Sequence, residues 1–325
     1  MKIGFLGAGV MARTMARTVM QMKEVGRCAV AARDPERARA FAQEFGFEKS
    51  FGSYEELLAD PQVELVYVAL PHSHHCAWTK AALEAGRGVL CEKAFAVNER
   101  QAREMIGLSE QRGLLLAEAI WTRYMPSRQM IAEAAADGTI GDVCTLSANL
   151  GYPVGMNRRM ADPALAGGAL LDLTVYPLNF ASMVLGNDIR RIRAGAVMTE
   201  RGVDGQDTVM LEYRDGKMAS LFATMYGQTD RRGTVCGTKG YLTVENINNP
   251  QRISVYRNSG AGAELVSSRE VPPQISGYEY EVRACIRAME EGRTECPEMP
   301  HAETLELMRQ MDAIRGQWGM TYPCE

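Results

Sequence analysis

The turn at the start of the chain constrains its fold more than any other feature. Residues 7–12 have the sequence GAGVMA, a G-x-G-x-x-A pattern that follows an apolar run at 3–6 and opens a helical pattern at 10–22. Gly7 permits a tight turn, Gly9 lets the backbone approach a pyrophosphate, and Ala12 allows close packing of helix on strand. The helix N-terminus favours an anion. The residues predicted to contact a dinucleotide are Gly7, Gly9, Val10, Met11 and Ala12.

Strand and helix patterns alternate through the first third of the chain. This alternation disfavours the alternative of a tight turn without a ligand. It predicts an α/β fold with a doubly wound parallel sheet, a Rossmann domain over residues 1–119. Ser53 and Glu56 form a capping box that begins a helix at residue 54. The other apolar runs are at 28–32, 65–70, 88–91 and 114–117, and the helical patterns at 35–45, 75–85 and 98–112.

The pattern changes after residue 119. Strand-like segments dominate 120–325, and Asp215-Gly216 between two of them is typical of a hairpin turn. We expect a substrate-binding and dimerisation α+β domain with a large, open, mostly antiparallel sheet. The expected strands are at 142–150, 189–199, 207–213, 218–225, 233–237, 241–245 and 253–258, and the expected helices at 126–136, 168–184, 278–291 and 301–317.

Composition narrows the class of protein. The chain has 325 residues, 46% of them hydrophobic and 23% charged, and a net charge of −4. That charge provides no basic field for nucleic acid, and no apolar stretch approaches the roughly 20 residues of a membrane span. The eight cysteines include no CxxC pair, and the N-terminal apolar run is too short for a signal peptide. A cytoplasmic protein with reduced thiols is expected.

The end of the second strand bears on which dinucleotide binds. NAD-binding proteins place Asp or Glu there to hold the ribose 2′-hydroxyl, whereas this chain has AAR at 31–33 and Arg37 four residues after Arg33. Two guanidinium groups at i and i+4 can face one phosphate. NADP is therefore the expected cofactor. NAD is the alternative, if both arginines are surface charges that pair with Asp34 and Glu36.

Two loops follow strands at the sheet edge where ligands bind. The first, 71–75, has three histidines in four residues, but no cysteine or carboxylate is spaced to complete a zinc site, so no metal is predicted. The second, CEKA at 91–94, places a lysine where it can do proton or charge work beside the nicotinamide. A helix-start histidine and a surface lysine are the alternatives. The expected cofactor contacts in these loops are Leu70, Pro71, His72, His75, Glu92 and Lys93.

Four further segments carry a resemblance to a known family. They are EAIWTRY at 118–124, GGALLD at 167–172, VYPL at 175–178 and GTKG at 237–240. With these and the glycine turn, nearly the whole chain resembles the Gfo/Idh/MocA oxidoreductases, in particular the branch of dimeric dihydrodiol dehydrogenases and NADP-dependent D-xylose dehydrogenases. The segments at 118–124 and 167–178 are much more specific than the glycine pattern.

The resemblance implies a role for each matching residue. Lys93 matches the active-site lysine, Tyr176 the catalytic acid/base, and Asp172 a residue that holds substrate or a catalytic partner. Trp121 matches an aromatic wall of the substrate site, and Arg123 is a second substrate-binding residue in the same segment. The positions that match NADP contacts are Arg33, Arg37, His72 and His75.

These residue types suit the oxidation of an alcohol. The reaction needs a base for the hydroxyl proton while hydride leaves the carbon for the nicotinamide. A tyrosine is a poor base unless a cation favours its phenolate, and Lys93 can supply that charge. Asp172 and Tyr176, four residues apart on a helix, share one face. Taken singly, a helix-start carboxylate and a core tyrosine are the simpler explanations.

The chain departs from the family pattern at three positions. Ala94 replaces a proline, and because a cis bond before a non-proline residue costs about 3 kcal/mol, the bond after Lys93 can be trans, with Lys93 displaced. Ala166 replaces the first of three glycines, and Thr174 replaces a glycine beside the catalytic helix. These changes bear on the substrate more than on the reaction class.

The sequence thus predicts an NAD(P)-dependent dehydrogenase or reductase, with NADP favoured. It would transfer a hydride between the nicotinamide and a hydroxyl or carbonyl carbon of a sugar or cyclic polyol or diol. The alternative is a catalytically silent NADP sensor that regulates a partner protein, which the intact Lys93, Asp172 and Tyr176 disfavour. A homodimer is expected, because alternation at 207–213 and 218–225 leaves apolar groups on a sheet face that no helix remains to cover.

Overall fold

A computed structural model describes residues 1–260 and 262–325. This part of the chain forms two compact units. The first comprises Met1–Tyr124 and Gln274–Leu305, and the second comprises Met125–Pro273 and Glu306–Glu325. The first unit is therefore built from two separate stretches of chain.

The later stretch of the first unit is tied to the segment around residue 116. The Leu116 N–H donates to the Thr294 carbonyl at 2.9 Å. The His301 ring Nε2 lies 2.8 Å from the Leu116 carbonyl oxygen, and the Thr304 hydroxyl donates to Glu118 at 2.8 Å. These bonds explain why residues 274–305 belong to the same compact unit as the N-terminal segment. The predicted domain boundary between residues 119 and 120 stays a prediction.

Strands and α-helices follow the order expected for an α/β domain joined to an α+β domain. The strands are β1 (Lys2–Leu6), β2 (Gly26–Ala31), β3 (Lys49–Phe51), β4 (Leu65–Val68), β5 (Gly88–Glu92), β6 (Leu116–Ala119), β7 (Val143–Gly151), β8 (Ile189–Met198), β9 (Asp204–Tyr213), β10 (Met218–Thr224), β11 (Gly233–Gly237), β12 (Gly240–Val244), β13 (Arg252–Ser259) and β14 (Gly262–Glu270). The α-helices are α1 (Val10–Val19), α2 (Pro35–Phe45), α3 (Tyr54–Ala59), α4 (His72–Glu84), α5 (Glu99–Arg112), α6 (Pro126–Ala136), α7 (Arg158–Ala161), α8 (Val175–Leu185), α9 (Glu279–Glu290) and α10 (His301–Gln317).

The sheet of the first unit is parallel and has the strand order β3-β2-β1-β4-β5-β6. This order confirms the predicted doubly wound Rossmann fold. Every residue of β4 and β5 is buried, because helices cover both faces of such a sheet. The order reverses between β1 and β4, and ligands of doubly wound sheets bind at that switch point, beyond the carboxyl ends of the strands.

Helix ends in this unit follow ordinary capping chemistry. Asp34 caps α2 by accepting from the N–H groups of Glu36 and Arg37. The Ser53 hydroxyl accepts from the Glu56 N–H at 3.2 Å, as the capping box predicted. Helix α4 begins at His72, three residues before its expected start, because Pro71 occupies the extended cap position.

The second unit contains an eight-stranded sheet in the order β14-β13-β12-β11-β7-β10-β9-β8. Neighbours run antiparallel except β7 and β10, which confirms the prediction of a mostly antiparallel sheet. The predicted Asp215-Gly216 hairpin joins β9 and β10, with Gly216 at φ +88°. Strand β14 was not predicted, because its residues are all exposed and lack apolar alternation.

The segment predicted as one helix at 168–184 begins with a different winding. Leu170–Thr174 form a π-helical turn, and the α-helix α8 follows at Val175. The helical stretch Pro163–Leu185 is long and apolar enough to span a membrane by length and composition, contrary to the expectation that no stretch would be. Its most apolar window is 78% buried inside the structure, as in the core helix of a globular domain.

One face of the second sheet packs on helices and the other is open. In β10, Ala219, Leu221 and Ala223 point inward, whereas Met218 and Phe222 are exposed. The inner face of the sheet contacts α6 and α8. Helices therefore do cover the apolar alternation, contrary to the expectation, and the open face mixes exposed apolar side chains with Ser and Thr.

Candidate active site

The glycine turn has the geometry that its pattern predicted. Gly7 has φ +104°, and a Cβ atom there would lie 2.5 Å from the Ala69 carbonyl oxygen, so only glycine fits. Gly9 is the N-cap of α1, and no side chain caps this helix. A Cβ on Gly9 would meet no protein atom within 4 Å. The protein therefore leaves open space beside an uncapped helix N-terminus, which fits a bound pyrophosphate.

The two arginines after β2 are exposed, and they differ in their contacts. Arg37 donates from Nε and Nη2 to the Ala8 carbonyl oxygen at 3.2 and 3.0 Å. Within 1–260 and 262–325, Arg33 forms no hydrogen bond or ion pair. Asp34 is occupied as the α2 cap, and Glu36 pairs with Arg39 at 2.9 Å. The alternative in which Arg33 and Arg37 pair with these two carboxylates is therefore not what the structure contains.

The histidines of the 71–75 loop are placed on α4. His72 and His75 are buried, and their rings meet edge to face with centroids 5.6 Å apart. His75 Nδ1 lies 2.8 Å from the Ala94 carbonyl oxygen and Nε2 lies 2.9 Å from the Leu70 carbonyl oxygen. His75 thus joins the loops after β4 and β5. Its predicted contact with the cofactor stays a prediction, as do those of Leu70, Pro71 and His72.

Lys93 follows β5 directly. The peptide bond between Lys93 and Ala94 is cis, so the expectation that it can be trans was wrong. Ala94 is fully buried, with its carbonyl on His75. Glu92 is buried too, and it accepts hydrogen bonds from the Tyr67 hydroxyl and, at 3.3 Å, from the Lys93 N–H. These contacts fix the backbone from which the lysine side chain extends.

The segment 118–124 supplies two of the predicted substrate residues. The Trp121 ring stacks on the Tyr278 ring, with centroids 4.1 Å apart and an interplanar angle of 2°. Arg123 is buried and forms an ion pair with Glu303 at 3.1 Å. This pairing gives Arg123 a structural contact within the first unit, and its role toward substrate stays a prediction.

Asp172 and Tyr176 belong to the second unit. Asp172 lies in the π-helical turn, where it forms an ion pair with Arg159 Nη2 at 3.1 Å, and Tyr176 lies in the first turn of α8. A turn of about 4.4 residues still keeps positions i and i+4 near one face, so the sharing of a face does not depend on α-helical winding. Tyr176 is buried except for 8% of its surface.

Sequence patterns missed two residues that contact the predicted site. Arg159 forms an ion pair with Asp172, and the Tyr278 ring stacks on Trp121. Arg159 precedes its partner by 13 residues, and Tyr278 lies more than 150 residues after Trp121. No local spacing links such pairs, so only the fold identifies them. In the parts of the chain that the structure describes, no group of three His, Cys, Asp or Glu could hold a metal ion.

The fold and the glycine turn define a two-domain protein with a dinucleotide-binding Rossmann domain. Comparison with known protein families supports this description. The family model described as oxidoreductase family, NAD-binding Rossmann fold, matches residues 1–119, and that of the GFO/IDH/MocA C-terminal domain matches 128–243. The chain belongs to the Gfo/Idh/MocA oxidoreductase family and is an NAD(P)-dependent oxidoreductase.

Curated relatives and solved structures span almost the full chain. Trans-1,2-dihydrobenzene-1,2-diol dehydrogenase of Mus musculus is 34% identical over 98% of this chain and 97% of its own. The enzyme of that name from Oryctolagus cuniculus is 37% identical over 91% of both chains. The crystal structure of KijD10, a 3-ketoreductase from Actinomadura kijaniata, in complex with NADP and TDP-benzene, superposes with a TM-score of 0.89 at 26% identity over 97% of both chains.

Proposed function

We propose that this protein is an NADP-linked dehydrogenase that oxidises a secondary alcohol of a sugar or of a cyclic diol. The observation that carries the proposal is that Lys93, Asp172 and Tyr176 are all present. Each is positioned by contacts or secondary structure within its own unit. The names of the relatives support the substrate class, since they include dihydrodiol dehydrogenases and a 3-ketoreductase crystallised with NADP.

The proposed chemistry assigns one task to each residue. A dinucleotide held at the glycine turn, Gly7 and Gly9, would supply the hydride acceptor. Tyr176 takes the hydroxyl proton as the hydride leaves the substrate carbon. Lys93 supplies a positive charge that favours the phenolate form of the tyrosine. Asp172, oriented by Arg159, accepts a hydrogen bond from a neighbouring substrate hydroxyl and so fixes which carbon reacts.

Arg33 supports the preference for NADP over NAD. Its side chain is exposed after β2, where NAD-binding proteins carry a carboxylate, and it has no partner in the described chain. A guanidinium in this position can bind a 2′-phosphate. Arg37, in the first turn of α2, is the second candidate for this contact, although its bonds to Ala8 also make it part of the turn.

The proposed setting is the cytoplasm, and the proposed assembly is a homodimer through the open face of the second sheet. The eight cysteines are all free, which suits a reducing compartment. Met218 and Phe222 lie exposed on β10, near the centre of that sheet. A second copy of the chain would bury them. A nucleic acid or membrane partner is not part of the proposal.

Purified protein incubated with NADP+ or NAD+ and a panel of aldoses and trans-dihydrodiols tests the function. We expect reduction of NADP+ by at least one sugar or diol, and loss of that activity in Tyr176→Phe with NADP+ binding retained. A wild-type protein that binds NADP+ tightly but oxidises none of these compounds would contradict the enzyme and support the alternative of a silent NADP sensor.

A further inference from the structure

Thr174 stands where the family has glycine, and the structure gives its hydroxyl a specific partner. Thr174 is fully buried at the end of the π-helical turn. Its Oγ1 donates to Asp207 Oδ2 on β9 at 2.6 Å. Because glycine has no hydroxyl, this contact is a property of this chain's own residue at that position.

A second carboxyl group holds the other end of the same turn. The Leu170 N–H donates to Asp204 Oδ2 at 2.6 Å. Asp204 is fully buried and packs against the backbone, so that a Cβ on Gly168 would overlap its Oδ1. Asp204 and Asp207 therefore contact the first and last residues of Leu170–Thr174, and Asp172 lies at the centre of that turn.

The two carboxyl groups contact each other. Oδ1 of Asp204 and Oδ1 of Asp207 are buried, and neither has a donor from another residue in the described chain. The two groups are placed to hydrogen-bond to one another, and a single shared proton satisfies both oxygens. Burial raises the pKa of Asp207 to about 7, and burial together with the charge of Asp207 holds the pKa of Asp204 well above its ordinary range.

Other ionisable groups lie around the pair. The buried Tyr322 of the C-terminal segment interacts electrostatically with Asp204. Beyond it, the Arg315 guanidinium lies 5.6 Å from the Tyr322 ring centroid and is paired with Asp312 and Glu325. On the π-helical turn itself, Asp172 is paired with Arg159. Arg315 and Arg159 are thus already paired with other carboxylates. A shared proton can reduce the negative charge of the Asp204–Asp207 pair in their place.

We propose that Asp204 and Asp207 share one proton and act as a positioning pair that clamps both ends of the turn carrying Asp172, which fixes the direction of Asp172 and of the following Tyr176. The proposal rests on the function proposed above. Thr174 transmits the ionisation of the pair, because its bond to Asp207 is charge-assisted only while Asp207 is ionised. Substrate affinity should therefore improve as pH rises through about 7.

Three variants test the clamp. Thr174→Val removes the hydroxyl at nearly constant volume, Thr174→Ser keeps the hydroxyl and is the matched control, and Asp207→Asn removes the ionisation. We expect KM to rise by about tenfold in Thr174→Val and to stay within about twofold in Thr174→Ser, because losing a bond to a charged group shifts the turn about tenfold toward its unclamped form and only the clamped form binds substrate. The KM change near pH 7 should disappear in Asp207→Asn. NADP+ binding, which belongs to the first unit, should be unchanged in all three.

Amide hydrogen exchange separates the clamp from the enzymatic assignment, because it needs no substrate. Exchange in residues 168–178 should be at least about tenfold faster in Thr174→Val than in wild type, with β2 as the unaffected reference segment. Unchanged exchange in that segment, or an unaltered pH profile of KM in Asp207→Asn, would overturn the clamp even if the protein is active. Normal clamp behaviour in a protein without dehydrogenase activity would overturn only the proposed function.

Discussion

Arg37 donates two hydrogen bonds to the carbonyl oxygen of Ala8, so a residue expected to bind the cofactor phosphate also holds the glycine turn in place. Arg33, in the connection between β2 and α2, makes no such hydrogen bond within the described residues. The two arginines are therefore not equivalent, and substitution can distinguish phosphate recognition from support of the turn.

Arg33→Ala should weaken NADP+ binding roughly tenfold or more while NAD+ binding changes little, because a charge-assisted phosphate contact contributes about 1.5–3 kcal/mol. Arg37→Ala should weaken both dinucleotides, because the Ala8 backbone loses its support. Titration of each variant with both cofactors, followed by intrinsic tryptophan fluorescence or calorimetry, measures this. Equal affinity of the wild type for NADP+ and NAD+ would defeat the assignment.

Gly7 and Gly9 should respond differently to alanine. Gly9→Ala should leave thermal stability nearly unchanged, since its Cβ meets open space, but should weaken dinucleotide binding. Gly7→Ala should lower the stability of the free protein, because of the positive φ and the nearby Ala69 carbonyl. Melting curves with and without cofactor compare the two. A strongly destabilised Gly9→Ala would show that this glycine serves the fold rather than the ligand.

Tyr176→Phe should lower kcat by roughly 10²–10⁴-fold with cofactor binding intact, since that is the usual contribution of a general acid/base. Lys93→Met should be comparably damaging. If the two residues act as a unit, the double variant should be little worse than either single one. Single-turnover reduction of NADP+ is the measurement, and near-wild-type rates in Tyr176→Phe would remove the tyrosine from the mechanism.

Asp172→Asn should raise KM more than it lowers kcat, because an amide offers a weaker acceptor to a substrate hydroxyl and loses the ion pair with Arg159. Arg159→Gln should shift KM in the same direction and to a smaller extent. Steady-state kinetics at saturating NADP+ separates the parameters. A pure kcat effect in Asp172→Asn would assign the carboxylate to proton transfer instead of substrate holding.

Glu118 gives the first unit a predictable pH dependence. Burial raises its pKa from 4.5 to about 7, although the Thr304 hydroxyl opposes the shift. The folded state therefore holds this proton where the unfolded state has released it. Its contribution to stability is full below pH 4.5 and is lost as pH rises toward 7, by an amount on the order of 3 kcal/mol.

Glu118→Gln removes this titration. Relative to the wild type, the variant should gain unfolding free energy between about pH 4.5 and 7 and show a constant difference above that range. Urea denaturation at several pH values measures the difference, and other titrating groups cancel because both proteins contain them. A constant difference across the whole range would mean that Glu118 is not protonated in the folded protein.

The sequence predicted most of the fold because the patterns that specify it are local. The glycine turn, the Asp215-Gly216 hairpin and the limits of α2, α6 and α10 depend on neighbouring residues, and each is found as expected. Strand β14 escaped prediction because its side chains are all exposed, so pairing with β13 specifies it rather than apolar alternation.

Less of the candidate site could be predicted from the sequence. Lys93, Asp172 and Tyr176 lie in segments with recognisable motifs, but the residues that orient their side chains or backbone are distant in sequence. Asp207 lies 33 residues after Thr174, and Arg159 lies 13 residues before Asp172. The π-helical winding at Leu170–Thr174 was also missed, because its apolar residues suit an ordinary buried helix equally well.

The split composition of the first unit has a consequence for how the protein is made. The ribosome delivers residues 1–124 first, but residues 274–305 only after nearly all of the second unit has been synthesised. Until then the Leu116 N–H lacks its acceptor, the Thr294 carbonyl, and the Glu118 carboxyl lacks its donor, the Thr304 hydroxyl. A gene fragment that stops at residue 124 would therefore encode an unfinished nucleotide-binding half, whereas a fusion of 1–124 to 274–305 would encode a complete one.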